Sequence, residues 1–475
     1  MGFYKFLHKI LCILLILSVF CVLIEAILYS RKRGFTMQEL YASFPHPTEQ
    51  ASEPIYSCSD GRYLLIYRNT NQADYETYLQ TLTADGFALI MQTERNGNCY
   101  SAFQKHLTVG VYYSPCDRTL RVTFDKLNAL PPYQKPKTDF ESGKTVFYCF
   151  ENDQALIDCG MCLLIQCPDN SFFVVDSGHY FQFNDNDRIH QFMRERTPNG
   201  KKIVINGWLI THSHTDHVSK LMDFLRYNCD DVVIEGFYWN LLEDDYDLPV
   251  WDEEERTFNA RLRKLLNDRT AIPKYKLQAG QRFFIRNLTF DVLCTQEDVY
   301  PQRIADFNDS SVVVTVEADG NRIFIPGDAS NIESDILESR YGKTLKSDIV
   351  QISHHGHFGL TENVYKLIDA DLAVFPITEI KFWEEHPRIQ ANRTAIALAK
   401  EYFISSNGTV RVPLPYSEKT VQQLPDETFE DFEKIRRLWG YDYTDEFKKE
   451  LYEKYLKLGG SPEKANLPVN YKGFI

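Results

Sequence analysis

Hydrophobic positions along this chain change period several times, and each change predicts an element. Residues 203–210 (Ile-Val-Ile-Asn-Gly-Trp-Leu-Ile) read as a buried strand. Directly downstream, Val218, Leu221, Met222 and Leu225 recur at i, i+3, i+4 and i+7, which is one face of a helix. Apolar runs at 173–175, 283–285, 288–293, 311–316, 322–326, 349–352 and 372–377 read as further strands, with Asp319-Gly320 as a hairpin turn between two of them. Phe258, Leu262, Leu265 and Leu266 mark another helix. Upstream, 63–67, 87–92, 99–104, 107–113 and 119–124 read as strands around a helix at 73–82, and Asn96-Gly97 is a strong hairpin signal.

Two stretches depart from these patterns. Residues 10–28 are almost unbroken apolar, interrupted by Ser18 and Glu25, which is just enough helix to span a hydrocarbon core. Lys5 and Lys9 precede the run, Arg31-Lys32-Arg33 follow it, and no small-x-small cleavage site closes it. The expectation is an uncleaved transmembrane signal anchor, a single pass with the bulk of the chain outside the cytoplasm. At the other end, Phe429, Phe432, Ile435 and Leu438 form one helical stripe, and Phe447, Leu451, Tyr455 and Leu458 a second.

Prolines punctuate the chain into domains. After the anchor at 10–28 comes a linker at 29–54 containing Pro45, Pro47 and Pro54. A small α+β module is expected at 55–127, and Pro131, Pro132 and Pro136 close it. A larger α/β region spans 145–410, with strands and helices that fit an αββα sandwich. A helical extension occupies 411–475.

Composition adds three constraints. The 475 residues exceed one compact domain. The net charge of −14 opposes non-specific binding to polyanions, so nothing strong points to nucleic acid as a partner. Among eleven cysteines, Cys159-x-x-Cys162 and Cys167 fall in or beside an apolar strand region and read as small hydrophobes. Cys58, Cys99 and Cys116 are better disulfide candidates if the module is exported. The acidic stretch around 228–255, interleaved with Tyr238, Trp239, Tyr246 and Trp251, reads equally as a lid or as a solvated insertion.

The densest chemistry lies between the strand at 203–210 and its helix. Thr211-His212-Ser213-His214-Thr215-Asp216-His217 holds three histidines and an aspartate in seven residues. Imidazole suits zinc, iron and manganese, and carboxylate suits harder cations. His212 and His214, two apart on an extended segment, can hold one ion, and Asp216 with His217 a second. A polar loop without metal would not need this concentration of ligands after a strand and before a helix.

This heptad resembles the HxHxDH signature of the metallo-β-lactamase superfamily. Three flanking elements resemble the family as well: Phe173-Val174-Val175-Asp176-Ser177-Gly178, Ile323-Phe324-Ile325-Pro326-Gly327-Asp328, and Ile349-Val350-Gln351-Ile352-Ser353-His354-His355-Gly356. Asn308-Asp309-Ser310-Ser311, Gly327-Asp328 with Glu333, the His354-His355-Gly356 run and Glu385-His386-Pro387 most resemble the hydrolase domain of the competence protein ComEC. The resemblance implies an αββα metallo-β-lactamase sandwich over about 145–405 and a metal-dependent hydrolase acting through an activated water. It implies two divalent ions, Zn2+ first and Mn2+ second, with Asp328 as bridge and His354 or His355 completing the second site, His355 being favoured. Asp216 also becomes the candidate for holding the attacking water, and Asp176 an outer residue orienting a ligand. Asn308, Ser310, Ser311, His357 and His386 become candidates for gripping a phosphate or other oxyanion. ComEC likeness favours phosphodiesters, with carboxylic ester, lactone or amide hydrolysis as the alternative and a non-catalytic scaffold as a third reading.

The chain departs from these patterns in places. No histidine between His217 and Asp328 matches the third ligand of the first site in β-lactamases, and Asn308 stands near where it would fall. ComEC-like domains commonly carry aspartate where this chain has His214 and serine where it has His357. ComEC's long membrane channel region is absent.

Overall fold

Strands built from the apolar runs assemble into three sheets in this computed structural model, which describes residues 36–47, 51, 53–59, 61–137, 140–151, 160–180, 185–244, 246, 248, 253–378, 381–382 and 385–424. The expected anchor at 10–28 and the helical stripes after 425 lie outside the described residues. Among the described residues no helix is long and apolar enough to cross a membrane.

The chain divides into two units, Met1–His46 and Pro47–Ile475. In the first, Thr36 caps a short helix, Met37–Tyr41, through a reciprocal capping box with Glu39, inside the stretch expected as a linker.

In the second unit, residues 56–126 form a six-stranded antiparallel sheet with the helix Gln72–Ala84. Asn71 caps that helix with its side-chain oxygen and Asp74 answers in a capping box. The hairpin at Asn96-Gly97 takes positive φ at both residues (54° and 77°), which matches the twist of its strands.

The larger region is four-layered. One nine-stranded sheet contains Phe172–Asp176, Ile203–Ile210 and Phe237–Trp239, and it takes in Val410–Pro413 and Gln422–Gln423 at its far side. A seven-stranded sheet contains Arg282–Ile285 through Glu401–Ile404. Their inner faces meet in an apolar core in which the Phe283 and Phe290 rings stack at 4.6 Å. The helices Asp185–Arg196, Thr215–Tyr227 and Glu253–Asn267 cover the outer face of the first sheet, and Asn331–Tyr341, Glu362–Ile368 and Gln390–Leu398 cover the second. This is the mixed α/β fold expected from the alternation of strands and helices. Within each sheet the strands leading to the histidine and aspartate loops run parallel to a neighbour, so their C-terminal ends open on one edge of the sandwich.

Two sequence expectations change here. None of the eight described cysteines is paired, and Cys58 is a buried free thiol, so Cys58, Cys99 and Cys116 form no disulfide among themselves. Burial pushes the Cys167 thiol up to about 12, in keeping with a small apolar packing role. Within the acidic stretch, Phe237–Trp239 is a buried strand and no part of a lid.

The six-stranded sheet is joined to the four-layered region through buried charge. Arg62 Nη1 donates to Glu297 Oε1 at 3.0 Å and to the Leu277 carbonyl at 2.7 Å. Arg340 reaches Asp117 of the six-stranded sheet's turn at 3.6 Å and pairs, within the four-layered region, with Asp298, the Arg340 and Asp298 side chains being almost fully buried. Replacing Arg340 with alanine leaves Asp298 as an uncompensated buried charge, which costs about 3–5 kcal/mol. Urea denaturation of Arg340→Ala is expected to show that loss, and a change below about 1 kcal/mol would mean that Asp298 finds another partner.

Candidate metal centre

Four strand ends supply the site. Phe172–Asp176 ends on Asp176, Ile203–Ile210 leads into Thr211–His217, Asn321–Ile325 leads to Gly327-Asp328, and Ile349–Gln351 leads to His354-His355. Gly327 holds φ +58°, and a Cβ there would lie 2.8 Å from Thr211 Cβ, so only glycine lets the two sheets' loops approach this closely. Gln351 clamps the same glycine, accepting its N–H at 3.1 Å and donating to its carbonyl at 3.1 Å.

Asp176 organises the histidine loop from below. Its carboxylate accepts the Thr211 N–H (2.9 Å), the Thr211 hydroxyl (2.7 Å) and His217 Nδ1–H (2.7 Å). His355 Nδ1–H donates to the Pro376 carbonyl at 2.7 Å. When either ring is neutral, Nδ1 therefore keeps the proton and Nε2 is the nitrogen turned to the site for a metal.

Asp216, His217, Asp328 and His355 offer ligand atoms that all lie within 4.8 Å of one another. Individual separations are 3.2 Å between His217 Nε2 and His355 Nε2, 3.1 Å from His217 Nε2 to Asp328 Oδ2, 3.0 Å from His355 Nε2 to Asp216 Oδ2, and 3.7 Å from His217 Nε2 to Asp216 Oδ2. A tetrahedral ion bound at about 2.0–2.1 Å sets its ligand atoms about 3.3 Å apart. The four atoms therefore fit a divalent ion in spacing as well as in type. Beside them, His212 Nε2 lies 3.0 Å from His214 Nδ1 and 3.9 Å from Asp328 Oδ2. Asp328 Oδ1 and Asn308 Oδ1 are both buried with no hydrogen-bond partner, as oxygens awaiting a cation would be.

Residues 145–375 match the family model of the metallo-beta-lactamase superfamily. The chain carries a metallo-beta-lactamase superfamily domain. Its fold is that of metal-dependent hydrolases and binds divalent metals. No curated protein matches the chain. Among solved structures, the metallo-beta-lactamase fold protein YhfI from Bacillus subtilis is similar at 12% identity and TM-score 0.35, over 55% of this chain and 95% of that one. The short form of human tRNase Z is similar at 15% identity and TM-score 0.29, over 48% and 91%. A diphosphatase of the PhnP family is similar at 13% identity and TM-score 0.32, over 57% and 99%.

Within the metallo-beta-lactamase domain, the other candidates divide. His355 enters the tight group, and His354 stands beside it with Nε2 4.0 Å from Asp328 Oδ2. Ser310 and Ser311 are buried and already engaged, contrary to a role in gripping substrate. The Ser310 hydroxyl donates to the Phe307 carbonyl at 2.6 Å, and Ser311 Oγ accepts the Asp328 N–H at 3.3 Å, so they brace the loops around Asp328. His386 is likewise buried, its ring stacked on Phe382. His357 is more open, but burial and the neighbouring His355 and His354 push its pKa down to about 3, so it meets an anion as a neutral hydrogen-bonding group and not as a charge.

One residue went unseen in the sequence. Glu255, from the acidic stretch, accepts the Thr215 N–H at 3.2 Å and the Thr215 hydroxyl at 2.9 Å. It thereby caps the helix Thr215–Tyr227, whose N-cap His214 makes no side-chain cap bond.

Burial works against charge on His217 and His355, yet Asp328 and Asp216 around both, with Asp176 beside His217, raise their pKa values above the ordinary histidine range. Without a cation these imidazoles hold protons that a metal must displace, so metal affinity falls as pH falls. Calorimetric titration with Zn2+ in two buffers of different ionisation enthalpy is expected to show proton release. Heats independent of the buffer would contradict it.

Proposed function

We propose that this chain is a metal-dependent phosphodiesterase tethered to a membrane by residues 10–28. The observation that carries the catalytic reading is the convergence of imidazole nitrogens on Asp328 Oδ2, with His217 at 3.1 Å, His355 at 3.5 Å and His212 at 3.9 Å. A carboxylate shared in this way suits a pair of ions held side by side. Divalent ions, when bound, supply positive charge to a substrate oxygen and acidify water towards a pKa of about 7.

The chain's own residues do the rest. Asp176 and the Pro376 carbonyl fix the tautomers of His217 and His355, so both present Nε2 without reorganisation. Asp216 and Asp328 divide the work by exposure. The Asp328 side chain is 1% exposed and acts within the ligand shell, whereas Asp216 is 19% exposed and meets entering water. Burial pushes the Asp216 carboxyl up, but His217 and His355 beside it hold it well below the usual carboxylate range, so it enters the reaction ionised. An ionised Asp216 at the water-facing side is placed to orient an attacking water by accepting its hydrogen. His357, neutral at the rim, can hydrogen-bond a phosphoryl oxygen.

The likeness of the motif set to ComEC favours phosphodiesters, with carboxylic esters, lactones and amides as the alternative. The net charge of −14 favours small or surface-linked phosphodiesters over long polyanions.

Bis-(p-nitrophenyl) phosphate is expected to be hydrolysed by the full chain when Zn2+ or Mn2+ is added back after chelation. His212→Ala and Asp328→Ala should each lower kcat/KM by more than about 100-fold, the upper end for losing merely an outer partner. Bound metal without phosphodiesterase activity would redirect the search to esters, lactones and amides. No bound metal and no activity would leave a non-catalytic scaffold. For the anchor, the full chain is expected to stay with membranes through an alkaline carbonate wash, and release by that wash would remove the tether.

A further inference from the structure

We infer that Phe358 sets the substrate preference of this site, by laying its ring against a flat apolar group, an aryl group in the simplest case, carried next to the phosphate. This narrows the substrate class within the phosphodiesterase reading above, and rests on it.

The loop that carries the ring is wound tightly against the candidate metal centre. His354, His355 and Gly356 take positive φ in succession, 51°, 57° and 99°, which turns the chain back on itself. The His357 N–H donates to the His354 carbonyl at 2.7 Å, and the Gly359 N–H to the His357 carbonyl at 2.8 Å. A Cβ on Gly359 would lie 2.8 Å from both Ser353 Cβ and the Ser353 carbonyl oxygen, so only glycine lets the loop close on its own start. The Phe358 carbonyl meets His354 Nδ1 at 3.3 Å, and His354 Nε2 lies 4.0 Å from Asp328 Oδ2. The backbone of Phe358 is therefore fixed one imidazole away from the carboxylate on which the site converges.

The ring itself is left in water. Phe358 is 79% exposed, the highest value for any large hydrophobic among the described residues, and no other described phenylalanine is exposed. A single exposed apolar residue is ordinary on a protein surface and carries no meaning by itself. Its place gives this one meaning. His357 immediately precedes it at the rim, and Lys381 is close enough to act on His357. The rim thus divides by kind. An imidazole and an ammonium suit the oxygens of a phosphate. An uncovered phenyl ring suits an apolar neighbour, because contact takes the apolar surface of both out of water. Flat rings meet offset or edge to face, with centroids about 4.5–7 Å apart. A phosphodiester with only small or charged substituents leaves Phe358 in water. The ring therefore discriminates between esters that bound metal alone would treat alike.

The full chain, loaded with Zn2+, would be assayed with bis-(p-nitrophenyl) phosphate and with methyl p-nitrophenyl phosphate. Both release p-nitrophenolate, and only the first retains an aryl group. The aryl preference, kcat/KM for the first over the second, is compared between proteins, so that differences in intrinsic reactivity cancel. Phe358→Ala is expected to lower that preference about tenfold, the scale of one ring face moved out of water, and Phe358→Trp to keep it. Phe358→Trp also reports binding without turnover. Phenylphosphonate is expected to shift its emission to the blue, beyond any change in the wild-type chain with its 5 tryptophans, and methylphosphonate is not. A preference that agrees within about twofold between wild type and Phe358→Ala, with both esters hydrolysed, would overturn the role of Phe358 and leave the phosphodiesterase reading standing. Hydrolysis of neither ester would sink the phosphodiesterase reading. The phenylphosphonate shift would then keep the aryl seat, and its absence would overturn that as well.

Discussion

Asp328 Oδ2 is the point that the rest of the site depends on. Four imidazole nitrogens face it within 4.0 Å, in a volume closed to solvent on most sides. Without a cation, such crowding sets protons against one another. Burial and the neighbouring His217 drive His212 well below the ordinary histidine range, while Asp328 and Asp216 draw His217 above it. The arrangement persists because it is over-determined from outside. Asp176 grips Thr211 and His217, Gln351 grips Gly327, and Glu255 grips Thr215. The histidine loop and the Gly327-Asp328 turn are thus each held by groups outside the candidate ligand set.

Much of this was legible in the sequence wherever the signal was local. The strand at 203–210 and its helix were readable because a mostly apolar run, broken by Asn206 and Gly207, gives way to a 3.6-residue period at the histidine run. Hairpins at Asn96-Gly97 and Asp319-Gly320 were readable because those residues take positive φ cheaply. The His212–His217 cluster was readable for the same reason, since seven residues cannot spread far.

The unreadable parts depend on distance along the chain. His354 and His355 are adjacent, and only the left-handed backbone at both decides which faces Asp216. Ser310 and Ser311 look like anion-binding hydroxyls in sequence, but the turn they occupy directs both into the structure. Glu255 sits forty residues from its partner Thr215 and was hidden in a run of like charges. Acidity left a lid and a solvated insertion equally open over 228–255, whereas burial makes Phe237–Trp239 a sheet strand and the helix from Glu253 reaches the site through the Glu255 carboxylate.

The spacing of the fixed groups also bears on what the site can select. Asp176, Asp216 and Asp328 already bring three carboxylates into a small volume, while the neutral His357 brings no positive charge to the rim. On the proposed reading, attraction for an anionic substrate comes chiefly from cations held by these ligands, with Lys381, close enough to act on His357, adding positive charge at the rim. The net charge of −14 adds to this repulsion at low ionic strength, and screening at physiological salt leaves mainly the nearest groups effective. On that reading, metal occupancy sets the affinity for an anion as well as its reactivity. On the proposed phosphodiesterase reading, such a site discriminates by how well one phosphoryl group seats against the bound metal, and gains little from charges farther along the substrate.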